Sequence, residues 1–432
     1  MKIDSVICYG AGAQGETVRL LLNEYGLKLS FFCDINEKLH GKYIDKVKVL
    51  SINELKGVDK STPVIIGIGA PKIDTIKQVK LLLIKLGFIY IFYSVVDYIN
   101  SYYPHLVGEK IYITHWLEVT PVVGCKIKCK ACPQEVFIKK YCAKENNKNL
   151  IMSLDTFKKC LESVPKSVVI NFSGFTEPFL NPECADMLLY AFQQGFRVRI
   201  STTLVGMTNN DFEKIKEIEF DAILPHLPDS DNNCIIPITD DYLELLVKFL
   251  QYFLPKKYDS GRSVITFISI HGKINEKVSG LLTHNGIDIS GYKNLGVTSL
   301  GTRAGNLNVD KNEMPKSLSI LKPNYKKGSI VCKMFHFVSE YINKDDLLHL
   351  ECFKLSNLLP NGDLALCSMD FGLKHVMGNL LKEKYEYIFS ESKNWLDFSK
   401  GITDENYDII CRHCNCGEER SYYKDIATIL EK

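Results

Sequence analysis

The chain has 432 residues, of which 46% are hydrophobic and 24% are charged. This composition is typical of a globular protein with sizeable cores, and the length predicts two or three domains. The 53 basic and 51 acidic residues leave a formal charge of only +2, so the overall charge gives no case for nucleic acid or an anionic membrane as the partner.

The sequence predicts a cytoplasmic protein without a membrane span. The uncharged apolar run at residues 86–96 is too short to cross a bilayer, which requires about 20 apolar residues in a helix. The first residues lack the apolar core and small-residue cleavage site of a signal peptide.

The first hundred residues show alternating strand and helix patterns. Strands are predicted at residues 5–9, 29–33, 63–68 and 88–93. Helices are predicted after the first strand, through Leu22, and at residues 73–86, and residues 100–104 are interpreted as a connection. This alternation is typical of a doubly wound nucleotide-binding fold, so we predict an α/β protein whose residues 1–104 form a Rossmann-like domain.

A glycine-rich loop follows the first predicted strand. Gly10, Gly12 and Gly15 permit a tight turn and the close approach of a phosphate to a helix N-terminus. Asp34, which ends the next strand, is predicted to accept a hydrogen bond from a ribose hydroxyl, and NAD is the default ligand of such a loop. In the alternative interpretation the domain has lost its ligand and serves as a docking scaffold.

The residues that follow this loop point to a different ligand. Residues 34–42, 47–49 and 51–55 resemble the N-terminal domains of bacterial glycan and capsule enzymes. That resemblance implies a nucleotide or a nucleotide sugar as the ligand of the domain.

A second alternating series begins at residue 111. Its predicted strands and helices imply parallel pairing, and hence a central partial (β/α) TIM-type barrel over residues 111–322. The strands are predicted at residues 116–120, 167–172, 197–201, 222–224 and 264–270, and the helices at 154–164 and 185–193. Residues 325–432 are predicted to form a small irregular iron–sulfur domain.

The chain contains 15 cysteines. Cytosolic thiols stay reduced, so a disulfide framework is not expected, and metal ligation, catalysis and burial remain. Seven cysteines stand alone and are interpreted as small buried hydrophobic residues: Cys8, Cys33, Cys142, Cys160, Cys184, Cys234 and Cys332. The other eight fall in two groups.

The first group is Cys125, Cys129 and Cys132, in a loop directly after a predicted strand. Three thiolates hold three corners of a [4Fe–4S] cluster and leave one iron with open coordination sites. The alternative is structural zinc, which requires a fourth ligand that is not found nearby in the sequence.

The spacing of these three cysteines, following a strand that opens a barrel, resembles that of radical SAM enzymes. The resemblance implies that S-adenosylmethionine binds the open iron and that one electron cleaves it to a 5′-deoxyadenosyl radical, which takes a hydrogen atom from the substrate. It also implies a flavodoxin- or ferredoxin-type reductant as partner. The residue before the third cysteine is usually aromatic in this family, whereas Ala131 stands here.

Further segments resemble those that hold S-adenosylmethionine in this family. Residues 173–178 resemble the glycine-glycine-glutamate segment of this family, which holds the methionine amino group. The resemblance implies this role for Gly174 and Glu177. Ser201 and Thr203 are placed by the resemblance near the ribose. In the same way Arg303 and Asn306 are placed near the nucleoside or the carboxylate.

The second group lies near the C-terminus. Gly362 follows Pro360 and Asn361, which is turn chemistry between two strands, and a hairpin there brings Cys352 and Cys367 together. The spacing resembles the opening of a SPASM domain and implies one auxiliary [4Fe–4S] cluster. Its predicted ligands are Cys352, Cys367, Cys411 and Cys414, with Cys416 as substitute. The alternative is a zinc site with four thiolate ligands.

The sequence therefore predicts a radical SAM enzyme that abstracts a hydrogen atom from a small-molecule or nucleotide-linked sugar substrate. The reaction is expected to be an oxidation, epimerisation or rearrangement. Two alternatives are a radical SAM peptide maturase with a SPASM extension and an NAD(P)-dependent iron–sulfur oxidoreductase.

Overall fold

The protein was analysed as a computed structural model. The structure describes residues 5–68, 73–92, 95–103, 116–130, 132–146, 148–257, 263–265, 268–270, 272–290, 355–403 and 408–410. Two sheets organise these residues, one formed by the first part of the chain and one by the rest.

The first sheet has six strands in the order β3-β4-β2-β1-β5-β6. Neighbouring strands are parallel except β3 and β4. The strands are β1 (Ile7–Tyr9), β2 (Phe31–Cys33), β3 (Tyr43–Ile44), β4 (Val47–Leu50), β5 (Val64–Ile66) and β6 (Ile91–Phe92). The helices are α1 (Ala13–Glu24), α2 (Ile52–Lys56), α3 (Ile73–Lys85) and α4 (Val95–Tyr102).

The strand order of this sheet reverses beside β1. The chain passes from β1 to β2 on one side, and β5 pairs with β1 on the other side. In open parallel sheets, ligands bind outside the carboxyl ends of the strands at such a point. The residues that directly follow β1 therefore occupy the position where this kind of sheet takes a ligand.

The second sheet has eight strands in the order β11-β10-β9-β8-β7-β12-β13-β14. Strands β7 to β12 pair in parallel, and β13 and β14 are antiparallel additions at one edge. The strands are β7 (Trp116–Val119), β8 (Val169–Phe172), β9 (Val198–Thr202), β10 (Ala222–Leu227), β11 (Ser269–Ile270), β12 (Leu355–Leu358), β13 (Asp363–Ala365) and β14 (Val376–Asn379).

Helices alternate with these strands along the chain. They are α5 (Gln134–Glu145), α6 (Leu154–Leu161), α7 (Cys184–Gln193), α8 (Asn209–Ile215), α9 (Asp240–Phe253), α10 (Glu276–His284), α11 (Tyr385–Ile388) and α12 (Lys393–Thr403). Several begin at a side-chain cap: in α8 the Thr208 hydroxyl accepts a hydrogen bond from the Asp211 amide, and the Asp211 carboxylate accepts one from the Thr208 amide. This reciprocal pair satisfies two backbone donors that have no partner within the helix.

The two faces of the second sheet differ in character. Leu117, Ile170 and Ile200 point to one face and are completely buried in the main hydrophobic core, together with side chains of the helices such as Phe249 of α9. Burial of apolar surface stabilises this face by about 25 cal/mol per Å². Because successive side chains of a strand alternate between faces, the residues between them point to the opposite side.

The two sheets are joined by a polar contact. Arg197, the residue before β9, donates from Nη1 to the Thr17 hydroxyl of α1 over 2.5 Å. Its Nη2 atom lies 2.6 Å from a carboxylate oxygen of Asp221. Helix α1 therefore contacts the second sheet at the edge where β9 begins.

The structure confirms a mixed α/β protein with two sheets rich in parallel strands. One local expectation is wrong: residues 100–104 were interpreted as a connection, but α4 continues to Tyr102. Tyr98 and Ile99 of this helix are buried against the first sheet, and this burial extends the helical segment. Within the described ranges, every helix is too short or too polar to cross a membrane.

Candidate functional site

The first cysteine group lies in the loop that follows β7. Cys125, Cys129 and Cys132 are each partly exposed. The Cys129 amide donates to the carbonyl of Ile127, and the Cys132 amide donates to the carbonyl of Cys129, both over 3.1 Å. Ile127 is 2% exposed and packs into the main core, so the loop is anchored between its first two cysteines.

A buried glutamate lies in the loop after the neighbouring strand β8. The Glu177 carboxylate accepts hydrogen bonds from the Thr202 hydroxyl over 2.7 Å and from the Thr203 amide and hydroxyl over 2.6 and 2.7 Å. Burial raises the pKa of Glu177, and these hydrogen bonds offset part of that effect. Thr203, which is predicted to lie near the ribose, thus donates hydrogen bonds directly to Glu177, which is predicted to hold the methionine amino group.

The loops of Cys125 and Glu177 are in contact. Backbone N–H groups of Glu177 and Ile127 face the Cys125 sulfur, and they lower its pKa, whereas burial, the larger effect, raises it to about 11. Because the carboxyl ends of parallel strands gather at one edge, β7 and β8 deliver the first cysteine and the glutamate to the same place. The structure therefore brings together two segments that the sequence placed 52 residues apart.

Gly174 is required by the shape of the second loop. Its φ angle is +74°, and a Cβ atom would lie 2.2 Å from the Thr120 hydroxyl and 2.8 Å from Nδ2 of Asn357. Thr120 in turn accepts a hydrogen bond from the Phe175 amide over 3.0 Å and donates to Oδ1 of Asn357 over 2.7 Å. In this structure Gly174 thus allows β7, β8 and β12 to pack closely where the loop begins.

Cys132 is fixed by the start of α5. Gln134 donates from Nε2 to the Cys132 sulfur over 3.3 Å and also to the carbonyl of Phe175. The Phe175 ring is 1% exposed and packs against Phe137 of the same helix. The third cysteine is therefore tied to the Glu177 loop by one amide side chain.

Cys129 contacts a fourth cysteine. The Cys234 thiol donates to the Cys129 sulfur over 3.2 Å, and Cys234 is 3% exposed. The closeness of Cys234 is the largest cause of a raised pKa for Cys129, followed by burial, because a second sulfur and a dry surrounding both disfavour a thiolate here. The sequence interpretation of Cys234 as a buried residue agrees with the structure, but it did not include the contact with Cys129.

The side chains of this site can be matched to the ligands that an iron–sulfur cluster and S-adenosylmethionine require. No three or more His, Cys, Asp or Glu side chains of the described ranges already surround one point as ligands of a metal ion. Three thiols on one loop are nevertheless the donor set that such a cluster takes. Two buried polar atoms, one at the start of α5 and one in the Glu177 loop, have no partner within the described part of the chain and suit a small polar ligand: Gln134 Oε1 and Thr176 Oγ1.

A row of polar side chains crosses the second sheet on the face opposite the main core. The register places Asn357, Glu118, Asn171 and Arg199 side by side on β12, β7, β8 and β9. Asn357, Glu118 and Asn171 are buried, and the guanidinium carbon of Arg199 lies 3.9 Å from the centre of the Trp116 ring. This row was not predicted from the sequence, although single polar residues inside otherwise apolar strands were a visible signal.

Ser201 belongs to the same face of the sheet. It pairs with Leu224 of β10 and lies two residues beyond Arg199 on β9. Ser201 therefore points toward the polar face, whereas its neighbour Thr202 holds Glu177.

The predicted hairpin around Gly362 is present. Strands β12 and β13 pair antiparallel, with Leu358 opposite Leu364, and Gly362 has a φ angle of +85°. Cys367 follows β13 and is partly exposed. Four of the predicted auxiliary ligands lie outside the described residues: Cys352, Cys411, Cys414 and Cys416.

The described part of the C-terminal region converges near Cys367. The Leu366 amide donates to the carbonyl of His375 over 2.9 Å, and the Ile410 amide donates to Nε2 of His375 over 3.0 Å. Ile410 directly precedes Cys411 in the sequence. His375 thus links the residue before Cys367 with the residue before Cys411.

An aromatic contact connects this region with the Glu177 loop. The ring centres of Phe175 and Phe371 are 4.6 Å apart, and both residues are buried. Cys132 packs against the same small cluster. The loop that carries Cys367 therefore packs against the Glu177 loop and the loop of the first cysteine group.

The glycine loop after β1 has the shape that close packing requires. A Cβ atom at Gly15 would lie 1.9 Å from the carbonyl oxygen of Gly10, and one at Gly10 would lie 2.5 Å from that of Gly67. At Gly12, which precedes α1, a Cβ atom would meet nothing within 4 Å. Asp34 accepts hydrogen bonds from the amides of Ala11 and Asn36 over 2.7 and 2.8 Å, so its carboxylate already orders the loop.

Two predicted S-adenosylmethionine groups, Arg303 and Asn306, lie outside the described residues. The ligand-binding roles of the other predicted site residues remain predictions.

Comparison with known proteins gives one curated relative. No family model matches the chain. A tungsten-containing aldehyde ferredoxin oxidoreductase cofactor-modifying protein of Pyrococcus furiosus is 25% identical over 191 residues, which are 42% of this chain and 51% of the relative. The chain thus matches about half the length of this relative.

Solved structures with similar folds include BtrN in complex with AdoMet and 2-DOIA. It is 16% identical, with a TM-score of 0.40, and the match covers 70% of this chain and 93% of BtrN. Another is SuiB of Streptococcus suis bound to the precursor peptide SuiA. It is 12% identical, with a TM-score of 0.43, and the match covers 77% of this chain and 79% of SuiB.

Proposed function

We propose that this protein is a radical SAM enzyme whose [4Fe–4S] cluster is held by Cys125, Cys129 and Cys132. The observation that carries the proposal is the position of Gln134, which donates to the Cys132 sulfur and to the Phe175 carbonyl and so joins the cysteine loop to the Glu177 loop at the shared carboxyl edge of β7 and β8. A buried carboxylate beside three thiols is the donor set expected for a cluster and a cationic amino group of S-adenosylmethionine. The relative from Pyrococcus furiosus supports a role in modifying a small molecule, since its name describes a cofactor-modifying protein.

When bound, such a cluster with S-adenosylmethionine supplies one-electron cleavage of the sulfonium and hydrogen atom abstraction. The chain's own residues bind and orient. Thr202 and Thr203 fix the Glu177 carboxylate, which would hold the amino group of the methionine part. The unpartnered Thr176 hydroxyl and Gln134 carbonyl oxygen are placed to accept or donate further hydrogen bonds to that ligand.

The parallel strands β7 to β12 form, in this proposal, the partial barrel that encloses the reaction. Its inward face is the polar row of Glu118, Asn171, Arg199 and Asn357. Oδ1 of Asn171 has no hydrogen-bond partner in the described ranges, so it is available to a polar substrate. A buried polar group without a partner costs about 1–3 kcal/mol, and a hydroxylated or amide-bearing substrate removes that cost.

A second cluster completes the proposal. In this proposal a SPASM-like domain holds one auxiliary [4Fe–4S] cluster. Its ligands are Cys352, Cys367, Cys411 and Cys414, with Cys416 as substitute. Its support is the arrangement at His375, which ties the residue before Cys367 to the residue before Cys411. The role of this cluster is electron transfer with the substrate, and a flavodoxin or ferredoxin supplies electrons to the first cluster.

The N-terminal sheet is proposed to be a Rossmann-like domain that binds a nucleotide or nucleotide sugar. The open space at Gly12 would admit a phosphate at the start of α1, while Gly10 and Gly15 are tightly packed. This supports a nucleotide or nucleotide sugar as the ligand of the domain. A peptide substrate is the competing candidate, and SuiB, with its bound precursor peptide, is the neighbour that motivates testing it.

The proposed clusters are tested by iron, acid-labile sulfide and zinc contents after anaerobic reconstitution. We expect about eight irons per chain, falling to about four when the first three cysteines become alanine. About four irons with one zinc in the wild type would leave radical chemistry but remove the auxiliary cluster. Zinc without iron would contradict the proposal.

The activity is tested by formation of 5′-deoxyadenosine from S-adenosylmethionine with dithionite as reductant. Glu177→Ala is expected to abolish this product while the iron content stays unchanged. The ligand of the N-terminal domain is tested by calorimetry with nucleotides and nucleotide sugars, with Gly12→Val as the matched variant. Binding of none of them would remove the support for a nucleotide-linked substrate and favour the peptide.

A further inference from the structure

Cys234 lies in the loop after β10, outside the predicted ligand set. Its sulfur is 3.2 Å from that of Cys129. The two loops are fastened beside this contact, since the Lys130 amide donates to the carbonyl of Asn233 over 2.9 Å. The Cys234 amide is fixed as well, by a 2.8 Å hydrogen bond to a carboxylate oxygen of Asp229. Backbone contacts thus hold the two thiols together.

The distance between the sulfurs indicates what this pair does. Two thiolates on one tetrahedral zinc ion, each with a bond of about 2.3 Å, are about 3.8 Å apart. The observed 3.2 Å is shorter than this separation and is that of two thiols in direct contact. A disulfide bond of about 2.05 Å requires a further approach of about 1 Å.

The other two cysteines of the loop have different neighbours. Cys132 accepts a hydrogen bond from Gln134, and Cys125 is faced by backbone N–H groups. The Cys129 sulfur lies 3.2 Å from a second thiol, so the position of Cys234 directs oxidation of the loop to Cys129.

We propose that Cys129 and Cys234 form a disulfide when the cluster-free protein meets a disulfide oxidant, and that this disulfide must be reduced before the cluster is assembled. The inference rests on the proposed function, because it concerns a ligand of the proposed cluster. The oxidant is a low-molecular-weight disulfide such as oxidised glutathione.

The exchange proceeds in two steps. The Cys129 thiol, in a partly exposed residue, loses its proton and its sulfur attacks one sulfur of oxidised glutathione, which forms a mixed disulfide and releases one glutathione thiolate. The buried Cys234, having lost its proton, then attacks the Cys129 sulfur and releases the second glutathione thiolate. The two cysteines are oxidised by two electrons, and one oxidised glutathione becomes two reduced molecules when both thiolates take up the released protons.

This disulfide has a consequence for the cluster. A sulfur in a disulfide carries no thiolate charge and does not bind iron, so Cys129 is withheld until a dithiol reductant restores it. The pairing also protects Cys129, since a disulfide is reversible whereas sulfinic and sulfonic acids are not.

The experiment uses the full chain, freed of iron by chelation under reducing conditions and then treated anaerobically with oxidised glutathione. Remaining thiols are alkylated, and disulfide-linked peptides are mapped by mass spectrometry. We expect a peptide containing Cys129 joined to one containing Cys234. We also expect iron and sulfide incorporation to be lost in the oxidised wild type and restored by dithiothreitol.

Matched variants separate the pair from general oxidation. Cys234→Ser is expected to take up iron after glutathione treatment, once any mixed disulfide has been removed by mild reduction with free glutathione. Cys160→Ser, a change at a fully buried cysteine of α6, should behave like the wild type. Cys234→Ala repeats the test if circular dichroism shows that the serine variant does not fold.

Two results would overturn the proposal: a disulfide that joins Cys129 to Cys125 or Cys132, or equal loss of iron uptake in Cys234→Ser and the wild type. Failure of the proposed function looks different. A chain that binds no iron in any redox state fails as a cluster protein, while the peptide map still decides whether Cys129 and Cys234 pair.

Discussion

The Glu177 carboxylate lies directly against Thr203, whose backbone N–H and hydroxyl both donate to its Oε2 atom, over 2.6 and 2.7 Å. A buried carboxylate needs such donors because no water replaces them. The orientation of Glu177 is thus set by the end of strand β9, which is a different strand from the one that precedes its loop.

Replacing Thr203 by valine removes one of these donors without changing the side-chain volume much. A hydrogen bond to a charged group contributes about 1.5–3 kcal/mol, so we expect a loss of unfolding free energy in that range. We also expect weaker binding of S-adenosylmethionine, measured by calorimetry on the reconstituted protein. Thr203→Ser keeps the hydroxyl and should retain binding; equal losses in both variants would contradict this role of the hydroxyl.

Gly174→Ala tests the packing of the glycine in the Glu177 loop. The new Cβ atom would lie 2.2 Å from the Thr120 hydroxyl, in addition to the strain of a φ angle of +74°. The strain alone costs roughly 1–2 kcal/mol, and overpacking adds roughly 1–3 kcal/mol. The matched control is Gly195→Ala, where φ is +80° but a Cβ atom meets nothing within 4 Å. Urea denaturation should show the larger loss for Gly174→Ala.

The C-terminal region should respond to pH through His375. Burial is the main reason that its pKa is lowered to about 4, from an ordinary value of 6.5. Between these values the unfolded chain takes up a proton that the folded chain does not, so the stabilisation is complete above pH 6.5 and is lost as the pH falls through 4. Protonation of His375 removes the hydrogen bond that its Nε2 atom accepts from the Ile410 amide.

Hydrogen exchange of the Ile410 amide measures this effect. After correction for intrinsic exchange, its protection should decrease as the pH is lowered from 6.5 toward 4. In His375→Gln the dependence should disappear. Unchanged protection of Ile410 in the wild type across this range would show that His375 does not hold the segment.

Phe371→Ala should separate the two cysteine regions. Phe371 and Phe175 are both buried with ring centres 4.6 Å apart, and truncation of a buried phenylalanine costs about 3–5 kcal/mol. We expect the reconstituted variant to release iron to a chelator faster than the wild type. Phe249→Ala, a change at a buried residue of α9, should lower the free energy of unfolding by a similar amount but leave iron release unchanged. Equal release rates in the two variants would show that the contact has no specific effect on the site.

The sequence predicted those features that depend on local pattern. The glycine at position 362 indicated the β12–β13 hairpin, because the turn requires a positive φ angle, and the hairpin is present. The hairpin of β3 and β4 was not predicted. Its turn uses positive φ angles at Asp45 and Lys46, and this pair lacks the glycine by which such turns are usually found.

Long-range pairings were beyond the sequence. Strand β12 inserts beside β7 in parallel, with Asn357 opposite Glu118, although the two residues are far apart in the chain. The contact of Cys234 with Cys129 likewise depends on the folded positions of two loops. A single sequence gives each cysteine its neighbours along the chain, but not those across the fold.

The contact of Arg197 with Thr17 lies at the opposite end of β9 from the Glu177 carboxylate. Arg197 precedes the first residue of β9, and Thr203, beside Glu177, follows the last. Five residues of a parallel strand span about 16 Å, so the length of the strand separates this contact from Glu177. The first sheet therefore supports the second at the amino end of β9, and not at the end that carries Glu177.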